Sequence, residues 1–220
     1  MIDRTPLWKP SKARIAAANL TAFRHSAERR WGVECADYDA LHRWSVTHPE
    51  QFWTTLWDVA GVIGHRGGRV LADANTMPGA KWFSDARLNF AENLLRGYAT
   101  EHDTADALVF WGEDKVKGRA SHAELYRAVA QTARALRDMG VVKGDRVAAY
   151  LPNVPAAVVA MLATASIGAI FSSASPDFGV QGVLDRFGQI APKVLFACDG
   201  YFYNGKAIDC LGKVAEIAAR

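Results

Sequence analysis

The stretch from Val141 to Phe178, VVKGDRVAAYLPNVPAAVVAMLATASIGAIFSSASPDF, constrains the fold more than any other part of the chain. Arg146 to Leu151 reads as a strand, Pro155 to Gly168 as a small-residue helix, and Ala169 to Ser172 as a second strand. Pro152 and Pro155 bracket the first turn, and a proline in the first helical turn loses no hydrogen bond. Strands joined through a helix belong in a parallel pair, since the connection must cross back over the sheet. The polar turn ending in Ser175, Pro176 and Asp177 then follows a strand, at the edge where open α/β sheets bind ligands.

The pattern continues on both sides. Ala107 to Trp111 is apolar and strand-length, and Glu113 to Arg119 reads as a charged turn. Ser121 and Glu124 form a capping box that opens a helix running to Met139, with Leu125, Val129, Ala133 and Leu136 on one face and Gly140 at its end. Phe178 to Gln189 reads as a helix, Lys193 to Cys198 as a strand and Ala207 to Ala219 as a helix. Strands alternating with helices give an α/β class, a parallel sheet flanked by helices, beginning near residue 100.

Residues before that point lack strand periodicity. Asn19 to Trp31 places Leu20, Phe23, Ala27 and Trp31 on one helical face, and Tyr38 to Val46 carries Leu41 and Trp44. Thr47 and Glu50 have capping-box spacing with Pro49 in the first turn, predicting a helix with Phe52, Trp53, Leu56, Trp57 and Ala60 on one face and Gly61 at its end. Aromatics at helical spacing read as core. His65 to Gly79 is Gly-rich and predicts mostly loop, with Gly67-Gly68 as a turn. Leu88 to Leu95 predicts a short helix whose Asn89 and Asn93 lie four apart, either hydrogen-bonding a neighbouring segment or forming ordinary polar surface. The chain thus divides into an N-terminal helical region, 1–100, and a sheet-bearing region, 101–220.

Composition narrows the function. A net charge of +3 with no run of five or more like charges gives no nucleic-acid footprint. The apolar run 156–171 is too short for a membrane span, and the N-terminus has no signal-peptide core. Cys35, Cys198 and Cys210 form no CxxC pair, which fits reduced thiols in a cytoplasmic protein. His25, His42, His48, His65, His102 and His122 show no helical metal-pair spacing, so no metal ligands are assigned. There is no GxSxG elbow, no GxGxxG and no GxxxxGK[ST], so no catalytic residues and no phosphate cradle are assigned either.

The segments PLWKPS (6–11), YDALHRWSVTHPEQFWTTLWD (38–58), MPGAKWFSDARLNFAENLL (77–95), GDRV, LPN-P, IGAIFS and SPDF occur here in an order that resembles the adenylate-forming acyl-CoA synthetases. SPDFG and YNGK resemble the acetoacetyl rather than the acetyl branch. The resemblance covers essentially the whole chain. It implies the first part of the large N-terminal, AMP-binding domain, preceded by the N-terminal region of the acetyl/acetoacetyl type. It also implies an ATP-dependent ligation of acetoacetate to coenzyme A through an acyl-adenylate, with Mg²⁺ stabilising charge on pyrophosphate. Alternatives are another short-chain acyl-CoA synthetase, acting on acetate, propionate or butyrate, and a non-catalytic nucleotide- or CoA-binding module.

The family's phosphate loop, acyl pocket and catalytic lid follow the region matched, so the chain is expected to be an N-terminal fragment, inactive alone and prone to self-association through uncovered sheet surfaces. Part of the coenzyme A site falls inside it. Ser175, Pro176 and Asp177 stand where related enzymes place a Phe-Gly-Gly turn against the coenzyme A adenine. FYNGK, 202–206, stands where two arginines approach the 3′-phosphate. Lys206 keeps one positive charge, and Tyr203 replaces the other and can stack or donate a single hydrogen bond. Without the resemblance, Lys206 reads as a solvated loop lysine.

Overall fold

The computed structural model describes residues 6–97 and 104–220. The chain divides into two compact units, one ending at Leu88 and one beginning at Asn89. The expected boundary at residues 100–101, and His102, lie outside the described residues.

The first unit is helical. Its elements are α1 (Lys12–Ala16), α2 (Asn19–Trp31), α3 (Tyr38–Thr47) and α4 (Pro49–Val59). Gly32, at φ +64°, ends α2 in the left-handed conformation that glycine adopts without a side-chain clash. Asp37 caps α3 by accepting the Ala40 N–H at 2.8 Å. Phe23, Ala27, Cys35, Leu41 and Trp44 form the core, with Trp31, Phe52 and Leu56 packed against it. The indole N–H groups of Trp31 and Trp44 donate to Thr55 (2.8 Å) and Gln51 (3.2 Å), so burying these rings leaves no donor unpaired.

Three sequence expectations fail here. Leu20 is 52% exposed and does not join the face of Phe23 and Ala27. The Thr47–Glu50 capping box does not form. Helix α3 runs through Thr47, whose hydroxyl therefore donates back to the Arg43 carbonyl at 2.8 Å, and His48 becomes the cap between α3 and α4. On α4 the most buried residues are Thr54 and Thr55, while Trp53 is 39% exposed and its ring lies tilted against Trp82 at 5.5 Å between centroids. The expected stop at Gly61 holds: the Gly61 and Val62 N–H groups return to Asp58 and Trp57, closing a Schellman-type end.

The region read as loop carries two minimal antiparallel ladders. β1 (Gly64–His65) pairs with β4 (Arg87–Leu88), and β2 (Leu71–Ala72) pairs with β3 (Lys81–Trp82). Gly67 turns at φ +78°, and a Cβ there would meet the Asp85 Cβ at 2.6 Å.

The second unit begins with α5 (Phe90–Leu95), followed by β5 (Asp106–Gly112), β6 (Val116–Ser121) and α6 (His122–Asp138). Next come β7 (Arg146–Tyr150), α7 (Pro155–Ser166), β8 (Ile170–Ala174), α8 (Val180–Phe187) and β9 (Val194–Ala197). It closes with β10 (Gly200–Tyr203), β11 (Lys206–Asp209) and α9 (Leu211–Ala218). Strands β8, β7 and β9 form a parallel sheet in that order, aligned so that Tyr150 faces Ala174 on one side and Ala197 on the other.

Strand β7 sends alternate side chains to opposite faces. Val147 joins a core with Leu125, Val129 and Leu136 of α6, Leu162 and Ala163 of α7, and Leu95 of α5. Ala148 and Tyr150 join the other core, with Val183 and Phe187 of α8 and Ile217 of α9. Helices therefore cover both faces, as a parallel sheet requires. A fully buried Leu or Val contributes about 1.5–3 kcal/mol. An exposed pair such as Arg134–Asp138 contributes about 0–1 kcal/mol, so burial and not surface charge holds these layers.

The Ser121–Glu124 capping box forms, with the Ser121 N–H donating to Glu124 at 2.7 Å. Asn89 caps two helices at once. Its side-chain oxygen accepts the Glu92 N–H of α5 at 3.1 Å, and its side-chain NH₂ donates to the carbonyls of Ala165 and Ser166 at the end of α7, at 2.9 and 3.3 Å.

Two expectations need correction. The charged turn read over Glu113 to Arg119 is shorter, because β6 starts at Val116 and pairs antiparallel with β5. The helix read over Ala207 to Ala219 begins only at Leu211, because 206–209 return as β11 against β10. Asn204 and Gly205, at φ +50° and +75°, make the tight turn between them.

Candidate functional site

The carboxyl ends of β7, β8 and β9 open onto a cleft of about 910 Å³. The loop Pro152–Val154 follows β7 and lines it, as does the turn Ser175–Asp177 after β8. The β10–β11 hairpin and the tip of the β5–β6 hairpin complete the wall. This is where the ends of open parallel sheets hold ligands.

The turn after β8 is held from three sides. Tyr150, fully buried at the end of β7, points its hydroxyl at the carbonyls of Pro176 (2.9 Å) and Phe178 (2.7 Å). Lys213 of α9 donates to the same Pro176 carbonyl at 3.0 Å. Tyr201 of β10 donates to Asp177 at 2.5 Å, and the Ser175 hydroxyl donates to the other carboxylate oxygen at 2.8 Å. These donors, Tyr201 foremost and then Ser175, hold the Asp177 carboxyl below the usual carboxylate range. Donating to that carboxylate in turn pushes the Tyr201 phenol up to about 12. Burial pushes the Tyr150 phenol up. Burial first, and the neighbouring Cys210 next, push the Cys198 thiol up to about 11. At neutral pH the two tyrosines stay protonated and Asp177 stays charged, so these groups act by holding the shape of the wall.

Ser175, Pro176, Asp177 and Tyr203 all line the cleft, so the structure brings four of the five expected residues together. Lys206, the fifth, is exposed and lies opposite Tyr203 in the hairpin register, but it is not among the residues that line the cleft. The rest of the wall offers flat rings, among them Phe110, Trp111 and Phe202. It also carries the carboxylates Glu113, Asp177, Asp199 and Asp209, and no Lys or Arg lines it among the described residues. Glu113 accepts the backbone N–H groups of Asn204 and Gly205 at 2.6 and 2.7 Å, joining the two hairpin tips.

Sequence reasoning missed Tyr150, Tyr201, Lys213 and Glu113 as residues that shape the site. The Asn-Gly pair at 204–205 was the available signal for the hairpin carrying Tyr201. Nothing in the sequence ties Glu113 to a turn ninety residues away.

Residues 95–219, more than half of the chain, match the family described as AMP-binding enzyme. The chain belongs to that family. Residues 38–94 match the acetyl-coenzyme A synthetase N-terminus, a region that precedes the AMP-binding match in this chain. An acetoacetyl-coenzyme A synthetase from Rhizobium meliloti (strain 1021) is 50% identical over 213 residues, covering 97% of this chain and 32% of the relative. An acetoacetyl-CoA synthetase from Xenopus tropicalis is 41% identical over 225 residues, covering 99% and 32%. The solved acetoacetyl-CoA synthetase from Streptomyces lividans superposes with a TM-score of 0.87 at 46% identity, over 98% of this chain and 33% of that one. The chain spans about a third of the length of the AMP-binding relatives it matches.

Proposed function

We propose that this chain is the part of an acetoacetate–CoA ligase that receives the nucleotide end of coenzyme A. The observation that carries the reading is the cleft at the carboxyl ends of three parallel strands, in a chain 50% identical to an acetoacetyl-coenzyme A synthetase. The aromatic wall suits a purine ring, which gains from ring contacts beyond simple burial. Ser175, Pro176 and Asp177 would lie against the adenine and Tyr203 beside it. Lys206, paired with Tyr203 on the same hairpin, would meet the 3′-phosphate, which the carboxylates of the wall would keep from the interior.

In the whole enzyme, ATP and acetoacetate would form an acyl-adenylate and pyrophosphate, and the coenzyme A thiol would then release AMP. A carboxylate is a poor electrophile with a poor leaving group, and adenylation makes the carbonyl more electrophilic and gives it AMP as a leaving group. Among the described residues no group of three or more His, Cys, Asp or Glu side chains is placed to hold a metal ion. No helix among the described residues is long and apolar enough to cross a membrane.

The test is acetoacetate-dependent release of pyrophosphate from ATP, with acetate, propionate and butyrate as rivals. A chain of the relatives' length carrying these 220 residues should prefer acetoacetate, and the 220-residue chain alone should release none. Preference for another acid would replace acetoacetate in the reading. Turnover by the 220-residue chain would refute the division of labour.

A further inference from the structure

Cys198 and Cys210 flank the two ends of the β10–β11 hairpin. Cys198 lies between β9, which ends at Ala197, and β10, which starts at Gly200. Cys210 lies between β11, which ends at Asp209, and α9, which starts at Leu211. The ladder pairs Gly200 with Asp209, and one further bond extends it: the Cys210 N–H donates to the Asp199 carbonyl at 2.7 Å. Cys198 is therefore one residue away from the position opposite Cys210. With paired residues about 5 Å apart and a rise of about 3.3 Å per residue, this register puts the two Cα atoms about 6 Å apart. That is inside the range of about 4.4–6.8 Å that a disulfide spans. The two thiols act on one another, Cys210 being the largest influence on Cys198 after burial, and both press on the buried Tyr150 hydroxyl. Both are free; Cys210 is buried and Cys198 is partly open. The remaining thiol, Cys35, sits in the core of the helical unit, which contains no second cysteine.

We propose that Cys198 and Cys210 form a redox site, oxidised by hydroperoxides, whose disulfide closes the base of the hairpin. The partly open Cys198 reacts first. Its sulfur attacks one peroxide oxygen and the O–O bond breaks. Cys198 becomes a sulfenic acid, and the other oxygen leaves with the thiol proton as an alcohol, or as water from hydrogen peroxide. The Cys210 sulfur then attacks the Cys198 sulfur. The S–S bond forms, the S–O bond breaks, and the hydroxyl leaves with the Cys210 proton as water. The two thiols together give up two electrons, which reduce the peroxide bond, and a dithiol returns them by exchange. Burial and Cys210 push the Cys198 thiol up to about 11, so thiolate is scarce and the site answers sustained rather than brief exposure. The hairpin it closes carries Tyr201, which holds Asp177, and Phe202 and Tyr203 of the cleft wall. With free thiols the ladder can open from its base; with the disulfide it cannot. The redox state thus sets how far one wall of the cleft moves, whichever ligand the cleft takes.

The experiment treats the folded, reduced chain with hydrogen peroxide, alkylates the remaining thiols, and locates every cysteine by intact mass and peptide mapping. The expected product is two hydrogens lighter, with the Cys198 and Cys210 peptides joined and Cys35 free, and a dithiol restores the starting mass. The same treatment in concentrated urea should scatter the pairing over all three cysteines, which shows that the fold selects the pair. Cys210→Ser should leave Cys198 as a sulfenic acid that dimedone traps, and Cys198→Ser should stay unreacted. If either variant fails to fold, the peptide map of the parent decides. Amide hydrogen exchange reads the effect on the wall. Closing a loop of this length should slow exchange across residues 200–209 by about ten- to a hundredfold. Three free thiols after prolonged treatment, Cys198 driven to sulfinic acid with no joined peptide, or a joined pair that includes Cys35 would overturn the site. A Cys198–Cys210 disulfide with unchanged exchange over 200–209 would overturn its hold on the cleft wall.

Discussion

Replacing Tyr150 by phenylalanine removes one oxygen and tests how the turn at 175–178 is held. The ring fills the same space, so packing against Val183 and Ala174 is retained. What is lost is the hydroxyl bonding to the Pro176 and Phe178 carbonyls at 2.9 and 2.7 Å. Pro176 keeps a second donor in Lys213 at 3.0 Å, whereas Phe178 loses its side-chain donor. A net hydrogen bond is worth about 0.5–1.5 kcal/mol, and a buried acceptor left unpaired costs about 1–3 kcal/mol. Only one carbonyl is orphaned, and only in part, so the expected loss is about 1–2 kcal/mol. For a chain of this size that lowers the melting temperature by roughly 2–8 °C. Urea denaturation should show a lower midpoint with an unchanged slope, since the exposed surface does not change. Coenzyme A affinity should fall as well, because Asp177 and Pro176 lose their brace. A stability within about 0.3 kcal/mol of the parent, inside the ±0.5 kcal/mol of neutral changes, would show that the tyrosine hydroxyl does not anchor this turn.

Asn89→Ala removes the caps of α5 and α7 together and should cost about 1–2 kcal/mol in urea denaturation. Asn89→Asp, which keeps only the acceptor, should recover the α5 part alone; equal loss in both variants would refute the double role. The Tyr201–Asp177 bond predicts a pH profile with two limbs. Asp177 has a lowered folded pKa, so its contribution is present above the ordinary carboxylate range and is lost as pH falls through the lowered value. Tyr201 has a folded value raised to about 12, so its contribution is full below the ordinary phenol value and is lost as pH rises toward 12. Melting temperatures should be flat from about pH 5 to 8, given reference pKa values near 4 for Asp and about 8.5 for Cys, and Tyr201→Phe should make the alkaline limb shallower, with the raised Cys198 thiol and Tyr150 phenol supplying the rest. An unchanged alkaline limb in that variant would contradict the assignment.

Long, periodic elements were legible in the sequence. Helices α2, α3 and α6 and the three parallel strands follow from apolar spacing, caps and glycine stops. What failed were places where two local signals compete. Thr47 carries cap chemistry but remains inside α3, and its hydroxyl turns back to Arg43. The stretch 206–209 looks helical because it runs into the apolar face of α9, yet Asn204-Gly205 folds it back as a hairpin. At the site, the polar turn Ser175–Asp177 was visible as a strand end. Its supports were not, because Tyr150, Tyr201 and Lys213 meet it only through tertiary contacts. Lys206, by contrast, pairs with Tyr203 across the hairpin but is not among the residues that line the cleft.

The central claim is that this cleft takes the nucleotide end of coenzyme A with its 3′-phosphate at Lys206. Calorimetric titration of the parent chain and of Lys206→Ala with coenzyme A and dephospho-coenzyme A tests it directly. A hydrogen bond to a charged group is worth about 1.5–3 kcal/mol, reduced toward the low end for an exposed side chain. The account predicts that Lys206→Ala weakens coenzyme A by about tenfold and leaves dephospho-coenzyme A as it was. Equal losses for the two ligands, or no loss for coenzyme A, would contradict it.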